Sequence, residues 1–359
     1  MILFTPVVSV EKLHPNFQAI MHPGFLGERD VISGWSQGFN DRDGKFVKEF
    51  QTTFNSSYWE LYLHAVFKEI GLLIDWSHQS PDFNLSHSTC RFTVEATTAN
   101  SAQKKPKEWE RDFSRKGIEN LKFDIPEINR EATIRLSNAI VAKHRKYKEN
   151  YSRLSHVRGK PFVIAVGPFE QPYFFLQHDR PIKSLLYDYY VDEEAFKKDP
   201  DKFPNGPPSV SLGTIEKDNG SEIDLGFFNS DVVEEISAVI FSATATMGKV
   251  DALATTGNKE TLFNYMRHGN DGIPRIHTGI SRKDYDETLL DGLQVYHNPH
   301  AKYPLDLGVF RQNRIIQCYF DHESREWCEE GVPGSLAWRQ SFGIISDGDY
   351  EPDGYTTRD

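Results

Sequence analysis

PDFNLSHSTCRFTVEATTAN, residues 81–100, reads as two short strands. Asp82 opens the first and Glu95 closes the second. From Cys90 to Ala96 the side chains alternate, with Phe92 and Val94 on one face and Arg91, Thr93 and Glu95 on the other. If the two strands are antiparallel neighbours, Asp82 and Glu95 meet at one edge of a sheet. Two backbone-held carboxylates make a hard oxygen site, the kind Mg²⁺ occupies while keeping several waters. Taken alone, the stretch also fits a hairpin with solvated acids at its ends.

The flanking segments add two helices. In SSYWELYLHAVFKEIG, residues 56–71, the side chains Trp59, Tyr62, Leu63, Val66, Phe67 and Ile70 recur at helical spacing and Gly71 ends the run. Glu60 falls in the first turn of that helix. Ser57 and Glu60 also fit a capping box, which would give Glu60 a structural task instead. Downstream, Ile125 to Tyr147 forms a second helix with Ile125, Ile128, Ala132, Leu136, Ala139 and Ile140 as its buried stripe. Lys143 and Tyr147 continue that stripe. A lysine there must pair or snorkel outward. KPFVIAVGPF, residues 160–169, then reads as a buried central strand.

The order is helix with Glu60, strand near Leu72 to Trp76, strand with Asp82, strand with Glu95, helix with Lys143, and strand 161–167. In this order and in its acids, the chain resembles the PD-(D/E)xK, or restriction-endonuclease-like, nuclease superfamily over roughly residues 50–170. Pro81-Asp82 matches the family's Pro-Asp. Glu95-Ala96-Thr97 matches its (Asp/Glu)-x-Lys except at the last position, and Glu60 matches the acid of its first helix. The resemblance implies an α/β fold with a central mixed sheet flanked by helices, a restriction-endonuclease-like core, and additional N- and C-terminal segments. It also implies a metal-dependent nuclease hydrolysing phosphodiester bonds of DNA, with restriction or host defence as the role. Asp82, Glu95 and Glu60 would hold Mg²⁺ or Mn²⁺. Thr97 stands where the family has its lysine. A threonine can hydrogen-bond a water but brings no charge, so Lys143 is the candidate for a migrated lysine, with Lys104 and Lys105 as runners-up in a polar loop.

Composition limits the partners. A chain of 359 residues can bury a sizeable core. The expected division is a loop-rich segment 1–48, a nuclease-like core 49–200 and an α+β region 201–359 that can extend the same sheet. DPDKFPNGPP, residues 199–208, is the linker candidate. Three unpatterned cysteines, Cys90, Cys318 and Cys328, fit a reducing, cytoplasmic compartment. MILFTPVVSV lacks the basic start and the length of a signal sequence. No apolar run approaches the ~18–20 residues of a membrane span. A homodimer is left open. The net charge is −11, which disfavours general nucleic-acid binding, yet residues 101–160 hold sixteen Lys or Arg against eight Asp or Glu. That local excess can follow a phosphate backbone or can be a solvated helix face.

Elsewhere, Asp41, Asp43 and Gly44 read as a turn, since no later glutamate completes a calcium loop. Residues 171–190 read as a short aromatic strand and a helix begun by Pro181. EISAVIFSAT, residues 235–244, and RIIQCYF, residues 314–320, read as strands. ATMGK, residues 245–249, lacks the first glycine and the final hydroxyl of a Walker motif. His297 and His300 are assigned to a Pro-broken loop, and the tail from Ser346 is acidic and Gly-rich. Two other readings remain: a catalytically inactive nuclease-fold binding protein, or a glycoside hydrolase with Glu60 and Glu95 as its carboxylate pair.

Overall fold

The structure is a computed structural model that describes residues 1–88, 90–102, 105–111, 123–256 and 260–344. The chain begins with four helices: α1 (Pro15–Ile20), α2 (Leu26–Trp35), α3 (Phe46–Thr52) and α4 (Phe54–Glu69). Segment 1–48 is therefore more helical than its turn signals imply. His14 caps α1, its Nδ1 accepting from the Asn16 amide at 3.1 Å, and Pro15 fits the first turn. The stretch HPGFLGE, residues 22–28, holds a single 3₁₀ turn, Pro23–Phe25, that leads straight into α2. Asp41 does form a turn, accepting from the amides of Lys45 and Phe46 at the start of α3.

Helix α4 starts at Phe54, five residues before Trp59, the first residue of the stripe. Phe54 packs on Phe50 of α3, with ring centroids 5.0 Å apart, and this contact sets the start. Ser57 thus lies inside the helix and cannot cap it, which removes the capping-box account of Glu60.

Three strands follow: β1 (Leu73–Ile74), β2 (Phe83–Ser86) and β3 (Arg91–Thr98). Glu95 sits within β3 rather than at its end. The strand runs on to Thr98 because it pairs in parallel with β4 (Phe162–Gly167), from Thr93↔Phe162 to Thr98↔Gly167. Between β3 and β4 lies α5 (Ile125–Glu149), whose Asp124 side chain caps its first turn. After β4 the expected aromatic strand is a 3₁₀ turn, Phe174–Leu176, flanked by Tyr173 and His178 at positive φ; helix α6 (Arg180–Tyr187) follows, with Pro181 in its first turn.

A short helix (Glu193–Lys198) and two two-stranded ribbons occupy residues 190–224, and from Ala238 the chain gives β5 (Ala238–Phe241), α7 (Met247–Leu253), β6 (Glu260–His268), β7 (Pro274–Ser281), β8 (Leu293–His297), β9 (Ile315–Asp321), β10 (Glu326–Glu330) and β11 (Leu336–Ile344). The main sheet has eight strands in the order β1-β2-β3-β4-β5-β8-β9-β10. It is mixed: β3, β4 and β5 run parallel, as do β8 and β9, and the remaining neighbours are antiparallel. A second, three-stranded sheet, β7-β6-β11, is not hydrogen-bonded into the first and joins the core through Arg339 of β11, which donates to the Thr244 carbonyl and pairs with Glu287. The fold is α/β, a large mixed sheet flanked by helices.

Strand alternation sorts the side chains onto two cores. Phe92, Val94 and Ala96 join Val163 and Ala165 under the aromatic face of α4, where Trp59 and Tyr62 are fully buried. Phe162, Ile164 and Val166 face the other way, onto Leu136, Ile140 and Tyr147 of α5 and Leu185 of α6. Glu95 pairs in register with Ile164 and so points to the α5 side. Among the described residues, no helix is long and apolar enough to cross a membrane. The acidic tail from Ser346 and Lys104 lie outside the described residues.

Candidate active site

Strands β2 and β3 are antiparallel, with Phe83 opposite Val94 and Asn84 opposite Thr93. One step further, Asp82 comes beside Glu95. The Ala96 amide donates to Asp82 Oδ2 at 2.7 Å, which fixes the carboxylate against β3. Glu95 is 1% exposed, and its Oε1 accepts from Lys143 Nζ at 2.8 Å and from Lys146 Nζ at 2.9 Å. Its Oε2 is buried without a well-formed hydrogen bond, as is the Tyr151 hydroxyl next to it.

The two lysines are three residues apart on α5, a spacing that places both heads over the same point. Lys143 lies on the inward side, as its place in the stripe implies. Lys146 lies off the buried stripe and its side chain is 45% exposed, yet its head reaches the carboxylate. Its long stem makes this reach across the helix edge, and Nζ stands 5.0 Å from the centroid of the Tyr151 ring.

Glu60, Asp82, Glu95, Thr97 and Lys143 all line one cavity of about 510 Å³, together with Lys146 and Lys107. Their protonation states diverge. Burial, then the negative charge of Glu95, pushes Asp82 up to about 6, with Lys143 opposing. Burial and the charge of Asp82 push Glu60 well above the ordinary carboxylate range, with Arg42 opposing. Burial also acts to raise Glu95, but Lys143 and Lys146 outweigh it and hold the carboxyl below its usual value. Burial and Glu95 together raise the Tyr151 phenol. Thr97 is half-buried, and its hydroxyl makes only a 3.5 Å contact, to the Thr98 carbonyl.

The donor set is compatible with a hard divalent ion. Asp82 and Glu95 present adjacent carboxylates, with Glu95 Oε2 not engaged by either lysine, and burial chiefly, with the neighbouring acids adding to it, raises Asp82 and Glu60. Among the described residues, no group of three or more His, Cys, Asp or Glu side chains is arranged to hold a metal ion. An ion here would rest on the Asp82–Glu95 pair, with Glu60 acting across water.

Two residues that the sequence reading passed over support the site. Tyr151 follows α5 and covers Glu95. Arg42, from the segment ahead of α3, donates to the carbonyls of His78 at 2.5 Å and Pro81 at 3.3 Å, bracing the loop that carries Asp82. Other candidates lie elsewhere. Lys105 pairs with Glu131 and Asp218, each at 3.3 Å. His297 belongs to β8 rather than a loop, and its Nε2 meets Gln317 Oε1 at 2.9 Å. Lys249 is buried against Glu287 at 2.5 Å, a core ion pair rather than part of a phosphate loop. No family model, no curated protein sequence and no solved structure matches the chain.

Proposed function

We propose that the chain is a metal-dependent nuclease that hydrolyses phosphodiester bonds, with DNA as the substrate and restriction or host defence as the role. The observation that carries this reading is the buried Glu95 carboxylate, gripped by Lys143 and Lys146 beside Asp82 and Glu60 in one cavity. Asp82 and Glu95 supply the oxygen ligands for Mg²⁺ or Mn²⁺. A bound divalent ion supplies Lewis acidity and a water of lowered pKa. The Thr97 hydroxyl orients that water. Lys143 and Lys146 set fixed positive charge next to the scissile phosphate, the task of the lysine absent at Thr97; loss of such a group costs ~10²–10³ in rate.

One observation favours a second reading. Burial and Asp82 shift Glu60 upward while Lys143 and Lys146 shift Glu95 downward, the opposed directions that a carboxylate-pair glycoside hydrolase uses. Metal dependence separates the two. DNA and RNA of single- and double-stranded form, and a panel of polysaccharides, are incubated with the native protein in Mg²⁺, Mn²⁺ or EDTA, with Asp82→Ala alongside. Cleavage that needs the divalent ion and vanishes in Asp82→Ala supports the nuclease. Metal-independent cleavage of a polysaccharide supports the second reading. Nucleic-acid binding with no cleavage under any divalent ion identifies an inactive binding protein.

A further inference from the structure

We propose that a second cavity, adjoining the carboxylate cavity, is a subsite for an unpaired nucleobase of the strand being cut; this rests on the nuclease reading. The cavity measures about 560 Å³. Its aromatic walls come from separate parts of the chain: Phe54 and Tyr58 of α4, Trp109, the Phe174–Phe175 turn, and Phe342 of β11. Asn55 and Trp109 line both cavities, so an occupant of one abuts an occupant of the other.

A second observation points to a ligand. Asn55 is 7% exposed, and its Oδ1 accepts from Asn16 Nδ2 at 2.9 Å, but its own Nδ2 is buried without a partner. Native folds seldom keep such a donor unmet. At the junction of the two cavities it can serve a carbonyl or ring nitrogen on a base edge. Cations back the rings: Arg111 stands 5.7 Å from the Phe175 ring centroid, and Lys107 Nζ stands 5.1 Å from that of Trp109. Aromatic platforms joined to positive charge hold unpaired bases with little sequence preference, because every base has a π-face. A base inside a duplex cannot enter without leaving its stack, so the occupant is single-stranded or extruded. Among the described residues, Glu108 is the one carboxyl lining this cavity; Arg111 pairs with it, which offsets its charge, and Lys107 remains as a further cation beside the rings.

The test is equilibrium binding by the full chain in EDTA, followed by tryptophan fluorescence and calorimetry. The probes are a short single-stranded oligonucleotide, the same strand with abasic sugars, and dAMP. The intact strand is expected to bind about 5- to 100-fold more tightly than the abasic one. Trp109→Leu and Phe342→Ala, both at positions that are not fully buried, are expected to erase that difference while urea denaturation shows each variant folded. Equal binding of intact and abasic strands, or an unchanged difference in both variants, overturns the subsite. So does failure of every probe to bind. dAMP binding as tightly as the strand overturns the assignment to a strand and identifies a free nucleotide as the ligand. Cleavage in Mg²⁺ is read separately: cleavage without base-dependent binding leaves the nuclease and removes the subsite, and base-dependent binding without cleavage leaves the base site and removes the hydrolytic reading.

Discussion

Lys146 donates to Glu95 Oε1 from 2.9 Å, the same oxygen that Lys143 holds from 2.8 Å. One buried carboxylate oxygen therefore anchors two ammonium groups from neighbouring turns of α5. If both charges face the phosphate, neither lysine alone carries the electrostatic task. Lys143→Met is expected to lower kcat by about 10²-fold with little change in metal affinity, and Lys146→Met by about tenfold, since its head is the more exposed. The double variant should fall below either single one and lose about 1–3 kcal/mol of stability, discounted from the full buried-pair cost because both heads touch solvent. Single-turnover cleavage and urea denaturation measure these. Native rates in the double variant would make both lysines structural.

The Asp82 carboxyl titrates at about 6 in the folded protein, against an unperturbed value near 4. Between those values the folded state binds the proton more strongly. The stabilisation linked to that proton is complete below about pH 4 and is lost as pH rises through about 6. Glu60 shifts in the same direction, and Glu95 in the opposite one. Asp82→Asn removes the loss. It is expected to exceed the native protein in stability by about 2 kcal/mol at pH 8, with the gain vanishing near pH 4. Urea denaturation across that range reads the difference, and a gain independent of pH would refute the account.

The legible part of the site is the part set by periodicity. Alternation in β3 put Glu95 opposite Val94, and the stripe of α5 put Lys143 inward; both follow from residue spacing alone. The start of α4 was not legible, because a tertiary contact between Phe50 and Phe54 sets it rather than a capping residue. Glu95 was read as a strand end because the run of alternating residues stops, whereas parallel pairing with β4 extends β3 to Thr98. Lys146 escaped because a helical wheel places the Cβ, not the end of a four-carbon stem. Its spacing of three from Lys143 was the available signal. Arg42 and Tyr151 reach the site through long-range packing, which leaves no local pattern. The aromatic cavity has the same origin, since its rings come from segments far apart in the chain.

Away from the site, Glu287 is the stability hot point of the second sheet's junction with the core. Its carboxylate meets Lys249 Nζ at 2.5 Å and Arg339 Nε at 2.7 Å, and all three side chains are buried. Arg339 and Lys249 hold it down to about 2 against the effect of burial. Glu287→Gln leaves two buried cations without their counter-charge. A loss of about 3–5 kcal/mol is expected. A change under about 1 kcal/mol in urea denaturation would show that backbone carbonyls, such as those of Thr288 and Asp291 on Lys249, suffice.

Arg42 gives the N-terminal segment a part in the site. One guanidinium nitrogen, Nη1, donates to both the His78 and Pro81 carbonyls and so fixes the backbone on which Asp82 stands. The guanidinium also stacks over the Trp76 ring, 5.6 Å from its centroid, and its charge opposes the upward shift of Glu60. Arg42 touches no reacting atom in this account and is a positioning residue. Arg42→Ala frees the loop, so Mn²⁺ affinity measured by calorimetry is expected to fall about 10- to 100-fold, the usual penalty for losing an outer support of a metal ligand. Arg42→Lys keeps the charge but is shorter and lacks the planar guanidinium that lies over the Trp76 ring. It should restore the charge effect on Glu60 while recovering only part of the affinity. If charge alone mattered, Arg42→Lys would match the native protein. If the segment only packed, both variants would lose stability and bind Mn²⁺ as the native protein does.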